Sequence, residues 1–162
     1  MTLIDSLPSD AALCAIIDSQ MHLEGPLLPI LHALQAAIGH VPEAALPLIA
    51  QRLNITRAEV HGVMTFYHDF RETPAGRHVV KICRAEACKA MGADQLADHA
   101  RARLGVDWHG TTADGAVTLE PIYCLGLCAC APAVMVDGQG QNRLMGRVSP
   151  AAFDALLAEV AG

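Results

Sequence analysis

The chain has 162 residues, 52% of them apolar, and six cysteines, enough for one domain or two small ones with ample core material. Its formal net charge is −6 and no run of Lys or Arg appears, which argues against binding to a nucleic-acid backbone. No stretch approaches the roughly 18 apolar residues of a membrane span, so no membrane insertion is expected.

The N-terminal segment carries Asp5 and Asp10 where an export signal would be apolar. A cytoplasmic location is therefore expected, where cysteines are more often metal ligands than structural disulfides. Ser9 heads a first helix with Leu13, Ile16, Ile17 and Met21 inward, and Cys14 reads as core. A second helix follows Pro26 and carries Leu27, Ile30, Leu31, Leu34 and Ile38 at spacings of three and four, with Gly39 in the position a left-handed C-cap favours. A third runs from about Pro42 to Leu53 and stops at Asn54. Thr56 with Glu59 is a capping box that opens a fourth, with Val60, Val63, Met64 and Tyr67 inward.

Around Thr73-Pro74-Ala75-Gly76 the pattern changes. His78 to Cys83 reads as a strand and Met91 to Leu104 as a helix with Met91, Leu96, Ala97 and Leu104 on one face. Asp114-Gly115 is a turn, and Val117 to Tyr123 a strand in which Pro121 points to a sheet edge. Ala133 to Val136 and Arg143 to Met145 form a hairpin about Asp137-Gly138. Ser149-Pro150 opens a last helix with Phe153, Leu156, Leu157 and Val160 inward. The expected fold is α+β in two parts: an N-terminal four-helix domain over 1–74 and a small α/β domain over 75–162.

Chemistry concentrates in the second part. Cys83-x4-Cys88 and Cys124-x3-Cys128 each lie where a strand gives way to a loop. Two such loops side by side bring four thiolates together. Disulfides, structural zinc and buried unligated thiols compete with iron–sulfur for this pattern, and spacing alone does not exclude zinc. The loop Cys124-Leu125-Gly126-Leu127-Cys128-Ala129 is small and apolar, so backbone N–H groups can approach sulfur, as an iron–sulfur cluster favours. Arg84 and Lys89 either favour the added negative charge of a reduced cluster or are solvated surface residues. Cys130 can compete as a ligand, although the paired spacing is complete without it. There is no Gly-x-Gly-x-x-Gly after a strand, so no dinucleotide fingerprint and no catalytic residues of the chain's own. The eight histidines, His61 and His68 among them, read as surface or capping residues, and Asp69, Arg71 and Glu72 as a solvated face. Phe66, Tyr67 and Phe70 read as core, with an aromatic interface anchor as the sharper alternative.

The pattern Cys-x4-Cys … Cys-Leu-Gly-x-Cys-x-x-Ala-Pro resembles the thioredoxin-like [2Fe–2S] ferredoxins, and within them the 24-kDa subunit family of respiratory complex I and its relatives. Leu34-Gln35 with Gly39-His40-Val41-Pro42, Gly62-Val63-Met64-Thr65-Phe66-Tyr67 and Pro74-x-Gly76 extend the resemblance over nearly the whole chain. It implies that Cys83, Cys88, Cys124 and Cys128 ligate the irons of one [2Fe–2S] cluster. Three segments resemble the gamma subunit of NAD-dependent, molybdenum-containing formate dehydrogenases most: 83–92, 110–115 and 123–132, with Cys130 where the complex I branch is commonly polar.

That resemblance implies an electron-transfer subunit in a heteromeric oxidoreductase. A flavin- and NAD-binding iron–sulfur subunit carrying FMN would be its direct partner, and a catalytic subunit with a molybdenum bis-pterin cofactor would oxidise formate. Further iron–sulfur clusters would connect the two. The equivalent subunit of an NADH:quinone oxidoreductase or NAD-reducing hydrogenase, a zinc-stabilised interaction module and a free-standing ferredoxin remain the other readings.

Overall fold

A computed structural model describes residues 8–138 and 141–160. Asp5, and with it the start of the segment read as lacking an export signal, lies outside the described residues. Among the described residues there are seven α-helices and one four-stranded sheet, and the chain divides into two compact units between Pro74 and Ala75. None of these helices is long and apolar enough to cross a membrane.

The first unit contains α1 (Asp10–Gln20), α2 (Leu27–Ile38), α3 (Ala45–Leu53) and α4 (Arg57–Phe66). The Ser9 hydroxyl accepts from the Ala12 N–H at the start of α1, and Gly39 and Asn54 adopt left-handed conformations at the ends of α2 and α3. Thr56 and Glu59 form the reciprocal capping box of α4. Leu13 and Ile17, Ile30, Leu31 and Leu34, Leu46 and Ile49, and Val60 and Met64 meet in one core. Three side chains expected inside are not: Met21 and Tyr67 sit at helix C-caps, past the last inward-facing turn, Phe66 is the last residue of α4, and all three are exposed. Cys14, read as core, is only half-buried. His40, in contrast, is buried, and its Nδ1 has no partner, so the expectation that all histidines are surface groups fails there. Gln35 ties α2 to the segment after α4: its amide donates to the Asp69 carbonyl at 2.7 Å and accepts from the Arg71 N–H at 2.8 Å.

The second unit is built on a sheet of order β2-β1-β3-β4, with β1 (His78–Cys83), β2 (Val117–Ile122), β3 (Val134–Gly138) and β4 (Gln141–Met145). β1 runs parallel to β2 and antiparallel to β3, and β3 pairs antiparallel with β4. Pro121 sits on β2, an edge strand, where its missing N–H is tolerated. Val80 and Ile82, Val117 and Leu119, and Val134 and Val136 share one sheet face and pack against Leu96 and Ala100 of α6 (Ala93–Leu104) and Phe153, Leu156 and Leu157 of α7 (Pro150–Val160). On the other face Lys81 and Glu120, opposed in register, form an ion pair at 3.6 Å.

Two expectations about this unit are corrected. The helix expected from Met91 begins only at Ala93. Gly92 takes a left-handed conformation that breaks it from a separate short helix, α5 (Glu86–Ala90), and leaves Met91 64% exposed. Asp137 and Gly138 are not a turn: they remain in register with Asn142 and Gln141 as part of β3. Strand pairing here overrides the turn preference of Asp-Gly.

Candidate metal centre

Cys83 is the last residue of β1 and Cys88 lies inside α5, the helix that begins within the Cys-x4-Cys spacing. Both are buried, in a small cluster with Ala93, Ala131 and Ala133, flanked by Ala85, Ile122, Leu125 and Leu127. The small side chains let three backbone segments converge on sulfur. The Cys83 N–H donates to the Ala133 carbonyl at 3.0 Å and the Arg84 N–H to the Ile122 carbonyl at 2.8 Å, which pins the end of β1 between its two neighbours.

Cys124 and Cys128 follow the end of β2 and are exposed. Their sulfurs stand 3.7 Å apart. Two thiolates on one tetrahedral metal, with bonds of about 2.3 Å, stand about 3.8 Å apart, so this pair has the spacing one metal ion requires. The loop reaches it through unusual backbone: Cys124 has φ 93° and Gly126 φ 76°. The Gly126 N–H then donates to the Cys124 sulfur at 3.4 Å. A left-handed conformation at 126 is what lets the chain fold back this tightly, and only glycine takes it at low cost.

The electrostatics separate the thiols. Burial pushes the Cys83 thiol up, but the N–H groups of Ala85, Cys124 and Leu125 and the Cys88 thiol outweigh it, and its pKa lies below the ordinary thiol value. Donors from the second cysteine loop thus reach the sulfur of the first. Burial pushes the Cys88 thiol up, reinforced by Cys83 and only partly offset by the Ala133 N–H. The Cys128 thiol is raised chiefly by its neighbour Cys124.

The structure therefore brings all four sequence-predicted cysteines to one end of the sheet, as one buried pair and one exposed pair. Among the described residues no three His, Cys, Asp or Glu side chains converge as the site of a single ion. The donor set is two thiol pairs, which fits a two-iron cluster holding two thiolates per iron. Arg84, expected either to serve the cluster's charge or to be solvated, does neither simply: its guanidinium donates to Asp94 at 2.6 Å and lies 5.3 Å from the centre of the Trp108 ring. Lys89 is exposed. Trp108 carried no signal in the sequence. The Ala133 N–H could not have been read there either, since a backbone donor has no residue signature.

The thioredoxin-like [2Fe-2S] ferredoxin profile matches residues 13–161. The HndA subunit of the NADP-reducing hydrogenase of Solidesulfovibrio fructosivorans is 32% identical over 143 residues, covering 88% of this chain and 81% of that relative. An NADH-quinone oxidoreductase subunit of Pseudomonas aeruginosa is 38% identical over 125 residues, 75% of each chain. Among solved structures, an NAD+-reducing [NiFe]-hydrogenase in the H2-reduced state superposes with a TM-score of 0.65 at 27% identity over 81% of this chain, which corresponds to 22% of that longer chain. Two cysteine pairs at the strand ends of one sheet, and a family match that includes both, lead to one conclusion: the chain belongs to the thioredoxin-like [2Fe-2S] ferredoxin family.

Proposed function

We propose that this chain is an electron-transfer subunit that holds one [2Fe–2S] cluster on Cys83, Cys88, Cys124 and Cys128, next to a flavin-bearing partner in an NAD-linked oxidoreductase. The observation that carries the reading is the pairing of the thiols: a buried pair and an exposed pair at one sheet end, with N–H groups of the second loop directed at Cys83. When bound, the cluster takes up and releases one electron at a time. The chain's own residues do the rest. Cys83 and Cys88 hold one side in an apolar setting that limits water. The N–H groups of Ala85, Leu125, Gly126 and Ala133 stabilise negative charge on sulfur. Cys124 and Cys128 present the other side at the surface, where a partner's redox centre can approach.

The complex we propose is an NAD-dependent formate dehydrogenase, with FMN in the direct partner and a molybdenum bis-pterin in the catalytic subunit. Support comes from the residues of segments 83–92, 110–115 and 123–132 and from the thiol at Cys130. The relatives favour a second reading, the equivalent subunit of an NAD(P)-reducing hydrogenase or an NADH:quinone oxidoreductase. Purification of the native complex separates them. Molybdenum and formate-dependent NAD+ reduction are expected; nickel with hydrogen-dependent reduction, or quinone reduction by NADH, would replace the formate assignment. Iron and acid-labile sulfide at about two each per chain test the cluster itself. One zinc and no sulfide would remove it.

A further inference from the structure

Cys128 is exposed, so burial does not hold it in place. The backbone of another segment holds its turn. Residues 146–148 join β4 to α7 and run against residues 128–132. The Arg147 N–H donates to the Cys130 carbonyl at 2.6 Å, and the Val148 N–H donates to the Pro132 carbonyl at 3.1 Å. Gly146 lies so close to the same turn that a Cβ on it would stand 2.7 Å from both the Cβ and the carbonyl oxygen of Cys130. Neither of those atoms ends a flexible side chain. One is fixed to the backbone, and the other is the acceptor of the Arg147 hydrogen bond, so neither can yield without moving the turn. Gly146 is not in the left-handed region, so close approach, and not a tight bend, is what requires glycine. Arg147 does adopt positive φ, at 55°, which turns the chain that follows it towards α7.

We infer that Gly146 is a positioning residue for Cys128. The segment from Gly146 to Val148 clasps the turn that follows the exposed cysteine pair and fixes the Cys128 sulfur against that of Cys124. Cys130 is the surface the clasp closes on, which gives the sixth cysteine a packing role. This inference rests on the cluster reading above. Enlarging residue 146 pushes the turn outward and moves Cys128, while the buried pair, held by β1 and α5, stays.

The test compares iron- and sulfide-reconstituted full-length protein as the unsubstituted chain, as Gly146→Ala and as Gly138→Ala. A Cβ at Gly138 would be crowded too, nearest to the His78 Nδ1 and 2.9 Å from the Arg77 carbonyl, but at the opposite end of β3. The readouts are iron and sulfide content, the electron paramagnetic resonance spectrum after dithionite reduction, the midpoint potential and the melting temperature. Gly146→Ala is expected to lose iron or to shift both spectrum and potential. Gly138→Ala is expected to lower the melting temperature with spectrum and potential unchanged. Gly146→Ala combined with Cys130→Gly, which removes one of the two crowded atoms, is expected to move the signature back towards the unsubstituted protein. A Gly146→Ala protein that loads fully with unshifted spectrum and potential overturns the clasp. So do equal shifts in the two glycine variants; where Gly146→Ala alone does not fold, a Cys130→Gly protein, which lacks the Cβ that the clasp closes on, overturns it by loading fully with unshifted spectrum and potential. Failure of the unsubstituted protein to take up iron and sulfide is a separate result: it removes the cluster assignment, and the clasp with it.

Discussion

The two cysteine pairs present the same donor atoms by different physical means. Cys83 and Cys88 sit in a strand end and a short helix, among alanines, and are 2% exposed each. Regular structure and burial hold them. Cys124 and Cys128 lie in a solvent-exposed loop with positive φ at Cys124 and Gly126, and hydrogen bonds from Gly126 and the 146–148 segment hold it. A ligand on a buried element is positioned by the core and shares its stability. A ligand on an exposed loop is positioned by local backbone geometry, and can change with little effect on the fold.

The largest expected effect falls on both pairs alike. Cys83→Ser and Cys124→Ser should each abolish or strongly alter the visible absorption of the reconstituted cluster, whereas Cys14→Ser, in the other unit, should leave it intact. Retention in the first two and loss in the third would reverse the ligand assignment. A second measurement separates the pairs. In metal-free protein Cys88→Ser places a hydroxyl among apolar side chains and should cost about 1–3 kcal/mol in urea unfolding. Cys128→Ser, at the surface, should cost well under that; equal losses would mean that the exposed pair is as deeply integrated as the buried one.

Gly126→Ala should cost on the order of 1 kcal/mol through backbone strain alone, because the space around it is open and only its φ of 76° resists a side chain. Its cluster spectrum should shift, since strain at 126 displaces the N–H that donates to Cys124; an unshifted spectrum would show that the loop keeps its conformation with alanine at 126. The smallest effect lies in the helical unit. Hydrogen bonds from the Thr56 N–H and hydroxyl hold the Glu59 carboxyl below its ordinary pKa. The folded state therefore favours the ionised form. Its contribution is present above the usual glutamate range and fades as pH falls through the folded value. Glu59→Gln should remove that slope from the acid unfolding curve and leave the cluster untouched.

Most elements were legible because each carries a local signal. Ser9, Gly39, Thr56 with Glu59, and Ser149-Pro150 mark helix ends with side chains whose hydrogen bonds, or whose conformational freedom, act within a few residues. The β1 strand matched its expected span, and Pro121 pointed to the edge position of β2. The misreadings came where local preference lost to the surroundings. Met91 looked like the first turn of a helix, but the left-handed Gly92 separates it from α6. Asp137-Gly138 looked like a turn, but pairing with β4 carries β3 through it. His40 looked like a surface group and is enclosed, a difference set by what packs around it.

At the site, the four cysteines, their spacing and the small residues between them stand in the chain itself, because ligand type and loop length are properties of residues. The sequence by itself therefore determined which atoms are available and that they come in pairs. Only the tertiary structure decided which pair is buried, that N–H groups of the second loop reach the first sulfur, that Arg84 is taken up by Asp94 and Trp108, and that Gly146 lies against Cys130. Each of these depends on segments far apart in the chain meeting at one end of a sheet, and a backbone donor or a distance of closest approach leaves no mark on residue identity.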